Sequence, residues 1–258
     1  MRSLFLVVCL FLIAGFSNAQ SKLQPDSLAF LKWVPTPALG WNSWDCFGPT
    51  VTESEVKANA DYMAKYLKKS GWEYIVVDIR WYVENDKAHG YNEKDAIYVM
   101  DVYGRLQPSP LKFPSSANGK GFKALADYIH AKGLKFGIHM MRGIPMEAVK
   151  KNTLILGSKA RAQDIYSTEL QCSWLKDMYT IVAGKEGAQA YYNSLFNLYA
   201  SWGLDSIKIP VNFGQIGIAG NCTIKDVWNN KSLGSFSKEF APFIKRHASG
   251  LYRISVKN

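Results

Sequence analysis

The sequence predicts an α/β fold, with βα units laid around a parallel sheet. Three observations predict it. Tyr74-Ile75-Val76-Val77 is an unbroken apolar run, the mark of a parallel strand buried on both faces. Strand-like runs alternate with helical periodicity at the rhythm of βα units. No G-x-G-x-x-G follows the first strand, which argues against a dinucleotide-binding fold. A doubly wound sheet and a (β/α)8 barrel both fit this rhythm. Polar residues gather where strands end: Trp41/Asn42, Asp78/Arg80, His139/Arg142 and Lys208. Barrel active sites are built on that face.

The elements follow in order. Residues 1–19 are expected to be a signal peptide: Arg2 is the positive start, Leu4 to Phe16 is the apolar run, and Ser17-Asn18-Ala19 is a small-x-small cleavage site. The apolar run is too short to span a bilayer. The expectation is a secreted or periplasmic chain starting near Gln20, with no membrane contact after cleavage. Pro37 to Trp41 reads as the first strand. Thr52-x-x-Glu55 is a capping box opening a helix with Val56, Ala60, Met63, Ala64 and Leu67 on one stripe, ending near Ser70-Gly71. Tyr74 to Asp78 is the second strand. After a polar loop from Glu84 to Gly119, Gly121 to Lys132 is a helix with Phe122, Leu125, Ala126 and Ile129 inward. Gly133 ends it, and Leu134 to His139 is the third strand. A long excursion runs from Met140 to about Gly187. Ala188 to Trp202 is a helix closed by Gly203, and Asp205 to Ile209 is the fourth strand.

Composition bounds the function. Of 258 residues, 48% are hydrophobic and 20% charged, ample for a buried core. Net charge is +10, but Lys57, Lys65, Lys68 and Lys69 are scattered along a helix, and no nucleic-acid-binding module is present, so a nucleic-acid partner is not expected. No C-x-x-C or H-x₃-H spacing exists, so no metal is expected. Cys46, Cys172 and Cys222 follow the signal segment; one bridge plus a spare thiol is expected, with Cys46–Cys172 as the pair.

Four segments carry a resemblance. Thr36-Pro37-Ala38-Leu39-Gly40-Trp41-Asn42-Ser43-Trp44, Gly71-Trp72-Glu73-Tyr74-Ile75-Val76-Val77-Asp78, Gly133-Leu134-Lys135-Phe136-Gly137-Ile138-His139 and Trp202-Gly203-Leu204-Asp205-Ser206-Ile207-Lys208 resemble, in order and spacing, the first four strand motifs of glycoside hydrolase family 27, the α-galactosidases. The loops after Asp78 and His139 are similar to a bacterial branch. The resemblance implies a (β/α)8 TIM-barrel type of which only about the first four βα units, residues 20–209, are present. It also implies a retaining hydrolase of terminal α-galactosides that needs no cofactor. Retention requires two carboxyl groups about 5 Å apart. The family's nucleophile is the Asp two residues after the fourth-strand Lys. Here Lys208 and Ile209 are followed by Pro210, which has no nucleophile. The later acid/base pattern has a partial echo in Leu251 to Lys257, with Lys257 at the acid's place. The resemblance therefore implies no catalytic residue and an inactive chain; a non-catalytic galactoside-binding remnant is the alternative.

The binding residues implied are Trp44 as a pocket wall, Asp78 as acceptor for sugar hydroxyls, His139 where relatives often have Tyr, and Lys208 beside the sugar. Arg80, Trp81 and Arg142 are placed on the same rim. Ile79 stands where the family frequently has a second Asp. A Lys208 lacking a carboxylate neighbour is expected to turn outward or lose its proton.

From residue 210 the pattern changes. Residues 210–258 read as an atypical, irregular tail with seven Lys/Arg against Asp226 and Glu239, a net +5, and one short amphipathic helix using Phe236, Phe240, Phe243 and Ile244. A truncation, a frameshift or a misassembled reading frame is the expected origin.

Overall fold

The computed structural model describes residues 38–88, 90–169, 171–172, 174–209, 221–226, 230–236 and 252–256. The expected signal peptide, Pro210 and the expected helix over Phe240 to Ile244 lie outside them.

A parallel sheet organises the described residues. It contains β1 (Leu39–Asn42), β2 (Trp72–Val77), β3 (Lys135–His139) and, after two further short strands and one paired strand, β7 (Ser206–Lys208), in spatial order β1-β2-β3-β7. All three pairings are parallel. The order never reverses, so the sheet has no switch point of the kind a doubly wound fold requires. Gly40 and Gly137 allow the close approach. A Cβ on Gly40 would lie 2.3 Å from the Tyr74 carbonyl oxygen, and one on Gly137 would lie 2.3 Å from Ser206 Oγ.

The helices form where the sequence places them. Thr52 caps α2 (Glu53–Tyr62) through a complete capping box, its backbone N–H donating to Glu55 Oε2 at 2.8 Å. The chain passes through a wide turn over Met63–Leu67 before left-handed Gly71. α3 (Lys123–His130) buries Leu125, Ala126 and Ile129. α6 (Ala188–Ser201) buries Tyr191, Leu195 and Tyr199. Between sheet and helices, Trp81 packs edge-to-face on Phe122, Tyr199 and Trp202.

Two regions depart from the sequence reading. The excursion after β3 is structured. It folds as β4 (Ile144–Pro145), α4 (Met146–Lys151), α5 (Ala162–Ile165), β5 (Tyr166–Ser167) and β6 (Met178–Ile181), with an antiparallel sheet in order β4-β6-β5. The tail is not irregular where it is described. β8 (Cys222–Asp226), β9 (Lys231–Phe236) and β10 (Tyr252–Val256) pair antiparallel in order β10-β8-β9, with Cys222 and Ile224 buried. Its alternation puts Cys222 and Ile224 on one face and Thr223 and Lys225 on the other, a period of two that supports a strand and not a helix. Phe236, expected in a helix, ends β9, and the echo segment Tyr252–Val256 is a strand at the sheet's edge.

The expected Cys46–Cys172 bridge is not formed. All three cysteines are free thiols in separate settings: Cys46 is exposed in α1 (Trp44–Phe47), Cys172 half-buried in the loop before β6, and Cys222 buried in the antiparallel sheet.

Candidate glycoside-binding site

The parallel register brings the ends of β1, β2, β3 and β7 together. Asn42 pairs with Val76, Val77 with Ile138, and His139 with Lys208. Asp78 follows the last residue of β2 and is almost fully buried. Its backbone N–H donates to Ser43 Oγ at 2.9 Å, while the Ser43 N–H donates to the Val76 carbonyl at 3.0 Å. Ser43, fully buried, thus locks the first strand's end to the second's.

Around the Asp78 carboxylate three donors converge. Oδ1 accepts from the Ile79 backbone N–H at 2.8 Å and from His139 Nδ1 at 2.6 Å; Oδ2 accepts from Lys208 Nζ at 2.8 Å. An ionised carboxylate only accepts, so Nδ1 of His139 carries a proton. Burial works against ionisation, but the hydrogen bonds and charges of His139 and Lys208 outweigh it and hold Asp78 well below the ordinary carboxylate range. His139 is fixed from behind as well, because Trp81 Nε1 donates to its carbonyl at 2.9 Å; its Nε2 is buried with no hydrogen-bond partner among the described residues. The expectation for Lys208 is corrected: it has a carboxylate neighbour, Asp78, with 51% of its side chain exposed.

Beyond the end of β1, three aromatic rings adjoin one another. Trp44 opens α1, its backbone N–H donating to Asn42 Oδ1 at 2.9 Å, and its ring lies 5.6 Å from Tyr91, which lies 6.4 Å from Trp174. Tyr91 comes from the polar loop and carries no motif. Burial, then the Asp78 charge, pushes its phenol up to about 12.

Arg80 and Trp81 are not rim residues. Trp81 is core. Arg80 is fully buried, adopts a left-handed backbone at φ 70°, and makes a bidentate pair with Asp86 at 2.8 and 2.7 Å. It also donates to the Asn92 carbonyl at 2.8 Å and lies 3.7 Å from Asp177, which accepts from Tyr82 Oη at 2.6 Å. Ile79 is buried. Asp205, in the fourth motif, accepts from the Phe136 N–H at 2.8 Å and contacts His130 at 2.8 Å, so its place is at the opposite end of β3 and its work is structural. Among the described residues no cluster of three metal-ligating side chains occurs, and no helix is long and apolar enough to cross a membrane.

This geometry meets its relatives in the comparisons. The family model described as alpha galactosidase A matches residues 36–154. Alpha-galactosidase A of Cellvibrio japonicus is 32% identical over 187 residues, 72% of this chain and 33% of the relative. The alpha-galactosidase of Oryza sativa is 38% identical over 109 residues, 42% of this chain and 22% of the relative. Among solved structures, a β-L-arabinopyranosidase of glycoside hydrolase family 27 from Geobacillus stearothermophilus matches at 57% identity and TM-score 0.68, covering 71% of this chain and 42% of that one. The chain therefore spans less than half the length of each of these relatives. Shared strand motifs, the parallel strand order and these matches lead to one assignment: the chain belongs to glycoside hydrolase family 27, in company with bacterial members.

Proposed function

We propose that residues 38–209 are the sugar-binding part of a retaining glycosidase barrel, that its ligand is a terminal α-galactoside-type pyranoside, and that Pro210 leaves this chain without the attacking carboxylate. The observation that supports the reading is the Asp78 carboxylate gripped by His139 and Lys208 at the C-terminal end of three adjacent parallel strands. Such a carboxylate has about four acceptor positions, and three are filled, leaving one for a sugar hydroxyl. Lys208 uses one of its three N–H donors on Asp78, which leaves two for the hydroxyls of a ligand. Trp44 and Tyr91 offer faces to the apolar side of a pyranose. No side chain at residue 210 can form the covalent glycosyl intermediate that retention requires. The same reading takes residues 1–19 as an export signal; N-terminal sequencing of exported protein should begin near Gln20.

The test pairs binding with turnover. D-galactose should bind by calorimetry and lose affinity in Trp44→Ala, while p-nitrophenyl α-galactoside should release no nitrophenol above background. Release at an ordinary glycosidase rate overturns the Pro210 argument; absence of sugar binding overturns the site.

A second reading concerns the sugar. Identity to the β-L-arabinopyranosidase is 57%, against 32% and 38% to the alpha-galactosidases. Buried Ile79 also supplies no acceptor where the family frequently has a second Asp. A pentopyranose lacks the exocyclic hydroxymethyl of galactose and so brings one hydroxyl fewer for such an acceptor to meet. L-arabinose binding more tightly than D-galactose supports this reading; the reverse order removes it.

A further inference from the structure

Beyond the loop that follows β3 lies a second concave space, with a volume of about 150 Å³. Arg142, Gln171, Cys172 and Tyr192 line it, with Met141 and Met178 as apolar wall. Arg142 Nε and Gln171 Nε2 are both buried, and neither has a hydrogen-bond partner among the described residues. Arg142 has no ion pair among the described residues either. The Tyr192 hydroxyl already accepts the Gly143 N–H at 3.2 Å, so its own proton is available to donate. Burial pushes the Tyr192 phenol up against the pull of that amide and of the Arg142 charge, and both side chains line the same cavity. The nearby sulfurs of Cys172, Met141 and Met178 are weak acceptors at best. Buried unpaired donors, one of them charged, are unfavourable. A planar oxyanion is the group that matches them: a guanidinium edge fits a carboxylate geometrically, and the amide supplies a further donor.

We propose that this cavity is a carboxylate-binding site, with Arg142 and Gln171 as its donors. Since one water needs roughly 10–15 Å³ of such space, the volume takes a whole acid of up to about ten heavy atoms, or the carboxylate end of a larger one whose remainder stays outside. Two sources share this chemistry, a free small organic acid and the acid group of a uronic sugar. Arg142 is three residues from His139, at most about 10 Å of extended chain. The proposal goes beyond the glycosidase reading, because a carboxylate would bind here whether or not a glycoside does.

Calorimetry on the full chain would compare propionate with propionamide and D-glucuronate with D-glucose. Each acid should bind and its neutral partner should not, and Arg142→Gln and Gln171→Leu should each weaken binding about tenfold or more. Tighter glucuronate points to a sugar acid, and propionate binding equally well points to a free acid. Equal binding of acids and neutral partners, absence of binding, or affinity unchanged in both variants overturns the proposal. Alkylation gives an independent readout should Arg142→Gln fail to fold. A Cys172 thiolate displaces iodide from iodoacetate or from iodoacetamide; the anionic reagent should be favoured at Cys172 relative to exposed Cys46, and propionate should protect only Cys172. The same reagent preference at both cysteines would count against an anion site.

Discussion

Replacing Asp78 by Asn isolates the charge at the centre of the site. The amide keeps one acceptor oxygen, and its best orientation turns that oxygen to the Ile79 N–H and His139 Nδ1, now 2.8 and 2.6 Å from Oδ1. The NH₂ then faces Lys208, whose ammonium swings into water at a cost of about 0–1 kcal/mol. Two charge-assisted bonds become neutral ones, a loss of about 1 kcal/mol each, while relief from burying a charge offsets part of it. The net expectation is about 2 kcal/mol, or roughly 4–8 °C in Tm for a unit of this size. The pH dependence follows from the depressed Asp78 pKa. Its contribution is fully present above the unfolded value near 3.8 and is lost as pH falls toward the native value. Scanning calorimetry of both proteins at pH 7 and pH 3 should therefore show the gap shrinking by about 1 kcal/mol at the lower pH. A gap that stays constant, or a variant as stable as the parent at pH 7, would refute the account of Asp78 as a carboxylate held ionised by its neighbours.

Three further outcomes are expected. Gly137→Ala places a methyl 2.3 Å from Ser206 Oγ and 3.0 Å from the Ser206 carbonyl, prising β7 from β3; it should lower stability by about 1–3 kcal/mol and weaken sugar binding together, as urea unfolding and calorimetry would show. Arg80→Gln leaves Asp86 buried without its bidentate partner and should cost about 3–5 kcal/mol, read from chemical denaturation, with a loss under 1 kcal/mol counting against a buried pair. Lys112, whose ammonium donates to the Arg80 and Pro49 carbonyls at 2.6 and 3.0 Å, is pushed down by burial to about 8. Between pH 8 and 10 the unfolded chain holds this proton and the native one does not, so stability relative to Lys112→Met should rise with pH, on the order of 1 kcal/mol per unit.

The parallel core was legible because its signals are local. Strands buried on both faces are contiguous apolar runs, and the Thr52–Glu55 box marks its helix from four residues. Asp78, His139 and Lys208 were legible as polar residues at strand ends, since register carries such residues to one face. The rest depends on contacts distant in sequence. β4 and β5 are two residues each and exist only through pairing with β6, so no periodicity could announce them. In the tail strand β8, Cys222 and Ile224 are the inward side chains among those described, too few to stand out among Lys and Thr. Tyr91 reaches the site from a polar loop, and Ser43 looks like any small residue until its hydroxyl is seen under the Asp78 amide. In the sequence Lys208 points toward position 210, whereas its partner Asp78 lies 130 residues away, just after β2.

Arg80 has a consequence for how this loop can diverge. Its guanidinium holds Asp86 and the Asn92 carbonyl, so the segment that delivers Tyr91 is moored by a side chain and not by the sheet. Its left-handed backbone sends Asp78 to one side and Trp81 to the other. The exposed turn Glu93-Lys94-Asp95 can change while this mooring stays, and each change will still present the Tyr91 ring beside the same carboxylate. Losing Arg80 would instead free the loop and the wall in one step, so that ligand grip and stability fall together.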